Sequence, residues 1–193
     1  MIFCLRSPVC SLCFMTDKNI VLVGFMGTGK STVGKMLAKR LKRNWIDVDQ
    51  KIEEAEKRKI SEIFEKDGEA YFRRLEKETI RQITSGTHLV IITGGGAVLD
   101  SENRAILKKN GFLITLSATP ETIFERVRQS RYRPLLKGDF LAEIRRLLAE
   151  REPFYRESDC TFSTDGKTAA KVAEIIEAVL EKEEESEFGK DWF

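Results

Sequence analysis

At 193 residues with 41% hydrophobic content, the chain can bury one sizeable core, and a single compact α/β domain is the size expectation. Thirty-three basic and 31 acidic residues cancel to +2, which argues against a nucleic-acid partner or a membrane-surface footprint. The four cysteines are Cys4, Cys10, Cys13 and Cys160, three of them near the start, so no disulfide framework is indicated and a reducing cytoplasm is the expected compartment.

Residues 1–14 are apolar but interrupted by Arg6 and Pro8, too short to span a bilayer and without the basic opening of a secretory signal. They read as a flexible N-terminal extension, and Met15 is a natural alternative start. Cys10 and Cys13 have C-x-x-C spacing, yet no second ligand pair or nearby His supports zinc.

The apolar run 20–23 predicts the first strand, and directly behind it stand Gly24, Phe25, Met26, Gly27, Thr28, Gly29, Lys30, Ser31 and Thr32. These fit G-x-x-x-x-G-K-[ST] between a strand and an amphipathic helix over 31–43, the context a phosphate-binding loop requires. Successive backbone N–H groups and a helix N-terminus favour a polyphosphate, Lys30 reaches the β and γ phosphates, and Ser31 can ligate Mg²⁺. ATP or a close relative is the expected ligand.

Residues 44–49 read as a second strand whose alternation sets Asp47 and Asp49 on one side at its carboxyl end, the end that faces the ligand crevice in open parallel sheets. The alternative for each aspartate is a turn or helix cap. A charged helical stretch follows over 51–58, with a second helix opening at 61–64. Beyond Gly68 a longer helix carries Phe72, Leu75, Thr79, Ile80 and Ile83 inward, with Arg73, Arg74 and Glu76 on its other faces.

Residues 88–93 form a buried third strand ending in Gly94, Gly95 and Gly96, whose bare backbone lets a ligand lie close. A helix over 101–109 and a fourth strand over 111–116 precede Thr119 and Pro120, a helix start with proline at its first position. The basic segment 126–137, carrying Arg126, Arg128, Arg131, Arg133 and Lys137 between breakers, suits a loop that closes over phosphates. An amphipathic helix begins at 140, a fifth strand covers 160–163, a closing helix 167–180, and an acidic tail 181–193. Alternating strands and helices argue a parallel sheet with helices on both faces. Strands three and four end in Thr93 and Leu116, without the aspartate expected of a switch GTPase. Asp47 is then the best second carboxylate for the metal, acting through water.

The series Gly24 to Thr32, Asp47-x-Asp49, Gly68-Glu69-x-x-Phe72-Arg73-x-x-Glu76, Gly94-Gly95-Gly96, Arg133-Pro134-Leu135-Leu136 and Arg151-x-Pro153-x-Tyr155 resembles shikimate kinase, in order and at family-like spacing, over about 19–180. The resemblance implies the nucleoside-monophosphate-kinase-like P-loop fold: three layers, a five-stranded parallel sheet of order 2-3-1-4-5, a single domain over 15–180, a substrate-binding region at about 47–76 and a lid at about 129–139. It implies MgATP-dependent phosphorylation of the 3-hydroxyl of shikimate on the way to chorismate and the aromatic amino acids, by a monomer.

By position, Asp49 would hold the substrate hydroxyls and orient or deprotonate the attacking one, Arg73 and Arg151 would grip the carboxylate, and Glu76 would position Arg73. Gly94, Gly95 and Gly96 would supply backbone contacts. Gly27, Thr28, Gly29, Lys30, Ser31, Thr32 and Arg133 would hold ATP, with Lys30, Asp49 and Arg133 acting in catalysis. Arg126 or Arg128 would pack on adenine, and the loop at Thr164 and Asp165 would border it. The single histidine, His88, opens strand three at the end of the sheet remote from the crevice, which excludes an imidazole base. Two alternatives stand beside this reading: a kinase of another small hydroxy acid such as gluconate, and a catalytically silent nucleotide-binding homologue.

Overall fold

The structure, a computed structural model, describes residues 3–4, 18–128 and 139–188. The chain runs β1 (Phe3–Cys4), β2 (Asn19–Val23), α1 (Lys30–Arg40), β3 (Asn44–Asp47), α2 (Val48–Glu56), α3 (Ile60–Lys66), α4 (Gly68–Ile83) and β4 (Leu89–Ile92). A short 3-10 turn (Ala97–Leu99) leads into α5 (Ser101–Asn110), β5 (Gly111–Ser117), α6 (Pro120–Val127), α7 (Phe140–Tyr155), β6 (Cys160–Ser163) and α8 (Ala169–Phe188).

The sheet order is β1-β6-β5-β2-β4-β3. Strands β3, β4, β2, β5 and β6 are mutually parallel, the expected order 2-3-1-4-5 when the parallel strands are counted alone. Their alternation is what covers both faces. Ile20 and Leu22 of β2 join Val33 and Leu37 of α1 and Val172 and Ile176 of α8, while Val21 and Val23 join Ile52, Phe72, Ile80 and Ile123 on the opposite face. Leu22 and Leu37 are fully buried, and truncating either to alanine would cost about 2–5 kcal/mol.

Four expectations are corrected. Residues 3–4 within the supposed N-terminal extension form β1, paired antiparallel with Cys160 and Thr161, so the sheet has six strands. The second strand stops at Asp47, because the Asp47 side chain caps α2 by accepting from the Asp49 and Gln50 amides; Asp49 therefore sits in a helical first turn and not on the strand. Glu76 lies on the inner side of α4 and is fully buried. The closing helix continues to Phe188, well into the segment read as an acidic tail, since its glutamates and lysines are strong helix formers.

Parallel pairing brings the carboxyl ends of five strands to one edge, and the neighbours of β2 diverge there, β4 to one side and β5 to the other. That divergence opens a crevice over the loop that follows β2. Among the described residues, no helix is long and apolar enough to cross a membrane.

Candidate active site

The loop after β2 turns through left-handed glycines, Gly27 at φ 75° and Gly29 at φ 91°, and Gly29 opens α1. No side chain caps α1, whereas Asp47, Asp100, Thr119 and Asp139 cap α2, α5, α6 and α7. The first-turn amides of Lys30, Ser31 and Thr32 are thus left without a capping side chain, as those of α3 and α4 also are, and a glycine-rich turn into such a helix start can take an anion. Lys30 is buried and folds over its own loop, its Nζ donating to Gly24 O at 2.8 Å and Phe25 O at 3.0 Å. Thr28 is buried too, its hydroxyl donating to Phe25 O at 2.8 Å, which braces the turn.

Ser31 and Asp47 meet behind that loop, Ser31 Oγ donating to Asp47 Oδ2 at 3.0 Å. Asp47 spends its other oxygen on the α2 cap, so a single carboxylate fixes the start of α2 and faces the Ser31 hydroxyl. A hydroxyl and a carboxylate oxygen at this spacing are hard donors of the kind Mg²⁺ accepts, and they are too few to strip its waters. Among the described residues, no group of three His, Cys, Asp or Glu side chains converges as a metal cage.

The other half of the crevice is built on the three glycines after β4. A Cβ at Gly94 would stand 2.8 Å from Asp49 Oδ1 and 3.1 Å from Glu76 Oε1, and one at Gly96 would stand 2.5 Å from Arg73 Nη2. Bare backbone is what lets two carboxylates and a guanidinium close on this turn. Asp49 Oδ1 and Glu76 Oε1 are buried without hydrogen-bond partners. Arg73 Nη1 donates to Glu76 Oε2 at 2.8 Å, and its outer edge to Glu69 Oε1 at 3.0 Å. Arg151 is buried on α7, with its guanidinium 5.3 Å from the centre of the Phe25 ring and Nη1 donating to Gly95 O at 3.3 Å.

Burial pushes the Asp49 carboxyl up to about 7, and the Glu76 and Asp47 carboxylates push the same way, against the pull of Lys30 and Arg73. Burial also raises Glu76, opposed by Arg73. A carboxyl balanced near neutrality, with one oxygen unpartnered in a crevice next to an anion-binding loop, can accept a proton from a bound alcohol.

The two arginines left open by the sequence have different partners in the structure. Arg126 reaches back from α6 to Gly27 O at 3.1 Å, Thr164 Oγ1 at 2.9 Å and Thr164 O at 3.0 Å, which places it between the phosphate loop and the loop after β6. Arg128 pairs with Glu125 on the surface. Asp165 accepts from the Thr119 amide, tying the same loop to the start of α6. Thr32 is exposed on the first turn of α1, and Arg133 lies outside the described residues. His88 is exposed, just before β4 at the amino edge of the sheet. Sequence reasoning gave no separate role to Tyr155, although it quoted the residue within a motif. Its hydroxyl donates to Gly95 O at 2.7 Å.

Comparison with known proteins identifies the family. The family model for shikimate kinase matches residues 26–182. Shikimate kinase of Thermodesulfovibrio yellowstonii is 49% identical over 160 residues, covering 82% of this chain and 92% of that protein. Shikimate kinase of Caldanaerobacter subterraneus subsp. tengcongensis is also 49% identical over 160 residues, with 82% and 94% covered. Among solved structures, shikimate kinase from Acinetobacter baumannii in complex with shikimate superposes with a TM-score of 0.84 at 38% identity, over 88% of this chain and 96% of that one. A family model that matches most of the length, together with relatives 49% identical over nearly their whole chains, shows that the chain belongs to the shikimate kinase family.

Proposed function

We propose that the chain transfers the γ-phosphoryl group of ATP to the 3-hydroxyl of shikimate, giving shikimate 3-phosphate and ADP. The observation that carries this reading is the cluster on Gly94, Gly95 and Gly96: Asp49 with an unpartnered buried oxygen, Arg73 and Arg151 on the same turn, and the phosphate loop against Gly95. The shikimate bound to the Acinetobacter baumannii relative supports it.

In this reading Gly27, Thr28, Gly29, Ser31 and Thr32 receive the phosphates with their amides, and Lys30 leaves its loop carbonyls for the β and γ oxygens. Arg73 and Arg151 take the acceptor carboxylate, for which the planar fork of arginine is suited. Gly94 to Gly96 bring backbone against the ring. Asp49 orients the 3-hydroxyl; as its oxygen bonds to the γ-phosphorus and the bond to the bridging oxygen of ADP breaks, Asp49 takes the proton. Arg133, in a lid at about 129–139, adds positive charge at the transferring group. Positioning and charge neutralisation carry most of the acceleration in such a transfer.

Mg²⁺ would be held by Ser31 directly and by Asp47 through water. When bound, it supplies charge neutralisation across the β and γ phosphates. The working unit is proposed to be a cytoplasmic monomer with a substrate-binding region at about 47–76, as the family resemblance implies.

The test is ADP release with ATP and Mg²⁺, compared among shikimate, gluconate and no acceptor. Acceleration confined to shikimate is expected. Equal rates with gluconate, or nucleotide binding without turnover of either acid, would overturn the proposal in favour of another hydroxy-acid kinase or a silent homologue.

A further inference from the structure

Arg151 and Tyr155 stand four residues apart on α7, so both side chains leave one helix face. They end on the same atom: Gly95 O accepts from Tyr155 OH at 2.7 Å and from Arg151 Nη1 at 3.3 Å. The tyrosine contact has the usual length for O–H···O, while the arginine contact is long for N–H···O. Gly95 is also pressed against the phosphate loop, since a Cβ there would lie 3.1 Å from Met26 N and 3.5 Å from Gly24 O. Its neighbours face the acceptor pocket, Gly94 toward Asp49 and Glu76 and Gly96 toward Arg73. The Gly95 peptide therefore touches both halves of the site.

Tyr155 is well fitted to hold that peptide. It is only 7% exposed and its ring belongs to the buried core on one face of the sheet, while its backbone carbonyl separately accepts from Thr115 Oγ1 at 2.9 Å. Burial pushes its phenol up to about 12 against the pull of the neighbouring Arg151 guanidinium, which also bonds the phenol oxygen, so the hydroxyl remains a donor throughout the working range of pH. Arg151 is the less constant partner. A carboxylate offers a guanidinium charge-assisted bonds roughly twice as strong as those to a neutral carbonyl.

Resting on the phosphoryl-transfer reading of the site, we propose that Tyr155 is a positioning residue: its hydroxyl fixes the Gly95 carbonyl, and so the spacing between phosphate loop and acceptor pocket, when Arg151 turns to the substrate carboxylate. Substrate binding then loosens the weaker of two bonds and leaves the stronger one in place. The turn keeps its position at the moment the acceptor alcohol must be aligned with the γ-phosphorus.

Tyr155→Phe removes the hydroxyl and keeps the ring. The full chain carrying it should lose about tenfold in kcat/KM for shikimate, the equivalent of one neutral hydrogen bond, while the KM for ATP stays within about twofold. Thr115→Val is the control, because it frees the Tyr155 backbone and leaves the hydroxyl: its Tm should fall, with kcat/KM for shikimate within about twofold of wild type. Wild-type kinetics in Tyr155→Phe would overturn the positioning role, as would an equal kinetic loss in Thr115→Val, which would make the effect a general loosening. A wild-type chain with no shikimate-dependent ADP release would overturn the reading of the site and this role with it, whereas wild-type turnover beside an unaffected Tyr155→Phe would overturn the role alone.

Discussion

Glu76 divides its two oxygens: Oε2 receives Arg73 Nη1 at 2.8 Å, and Oε1 stays buried and unpartnered on the Gly94 side. The pair is asymmetric, since the Arg73 side chain is 25% exposed and that of Glu76 only 1%. Glu69, the other holder of Arg73, is 57% exposed and pulls the guanidinium outward. Glu76→Gln weakens the inner anchor and leaves Glu69 to compete. We expect the KM for shikimate to rise about tenfold, with kcat within about threefold and the KM for ATP unchanged, as for loss of part of one charged hydrogen bond. Steady-state kinetics with each substrate varied in turn would check this. A rise in the KM for ATP alone would remove Glu76 from the acceptor pocket.

Asp49→Asn separates activity from stability. The amide still accepts a hydrogen bond from an alcohol but cannot take its proton, so kcat should fall by about 10²-fold to 10⁴-fold. The same change removes a charge that sits among two other carboxylates with one oxygen unpartnered. Its Tm at pH 8 should therefore rise by about 2–4 °C, near 1 kcal/mol in a chain of this size. Near wild-type turnover would take Asp49 out of the chemistry; a lower Tm would show that Lys30 and Arg73 already compensate its charge.

The pH dependence follows from the same carboxyl. Its value in the fold, about 7, lies above the ordinary 3.8, chiefly through burial. Between those two values the folded chain holds a proton that the unfolded chain has lost, so this group's contribution to stability declines as pH rises through that window. The wild-type Tm should accordingly fall relative to Asp49→Asn from pH 4 to pH 8. Carbon NMR of the ligand-free protein should find one aspartate carboxyl titrating near 7. A titration complete by pH 5 would contradict the raised value.

How much of this was legible beforehand depends on how local each feature is. The phosphate loop is nine consecutive residues, and its geometry follows from glycine conformations and a helix start, so sequence alone gave it. The cluster on the glycine turn draws Asp49, Arg73, Gly94 and Arg151 from four separate stretches, and only family resemblance joined them. Periodicity read Glu76 as facing outward because a charge on a helix is normally solvated; the burial depends on Arg73 one turn before it, a pairing that amphipathicity does not encode. Strand alternation misread Asp49 because the Asp47 cap converts the backbone to helix one residue earlier. Arg126 and Arg128 look equivalent in a basic run, yet two residues apart on a helix end they point to different partners, Thr164 and Glu125.

Gly96 offers the sharpest test that the arginine clamp is placed by backbone. Its φ of −104° is open to any residue, so Gly96→Ala carries no strain of conformation. The added Cβ would meet Arg73 Nη2 at 2.5 Å, Nη1 at 2.7 Å and Cζ at 2.9 Å, all at the far end of a flexible side chain. The guanidinium must therefore move by roughly 1 Å to reach ordinary contact distance, while the fold can stay where it is. A shift of that size degrades the bond to Glu76 and misaligns the fork for a carboxylate, and small misplacements of this kind cost about 10²-fold at the upper end. We expect kcat/KM for shikimate to fall between about tenfold and 10²-fold, the KM for ATP to hold, and the Tm to stay within about 3 °C. Thermal unfolding and acceptor kinetics on one preparation would decide. Unchanged shikimate kinetics would mean that Arg73 does not act from its position over Gly96, and a collapsed Tm would mean that the turn tolerates less than its backbone angles allow.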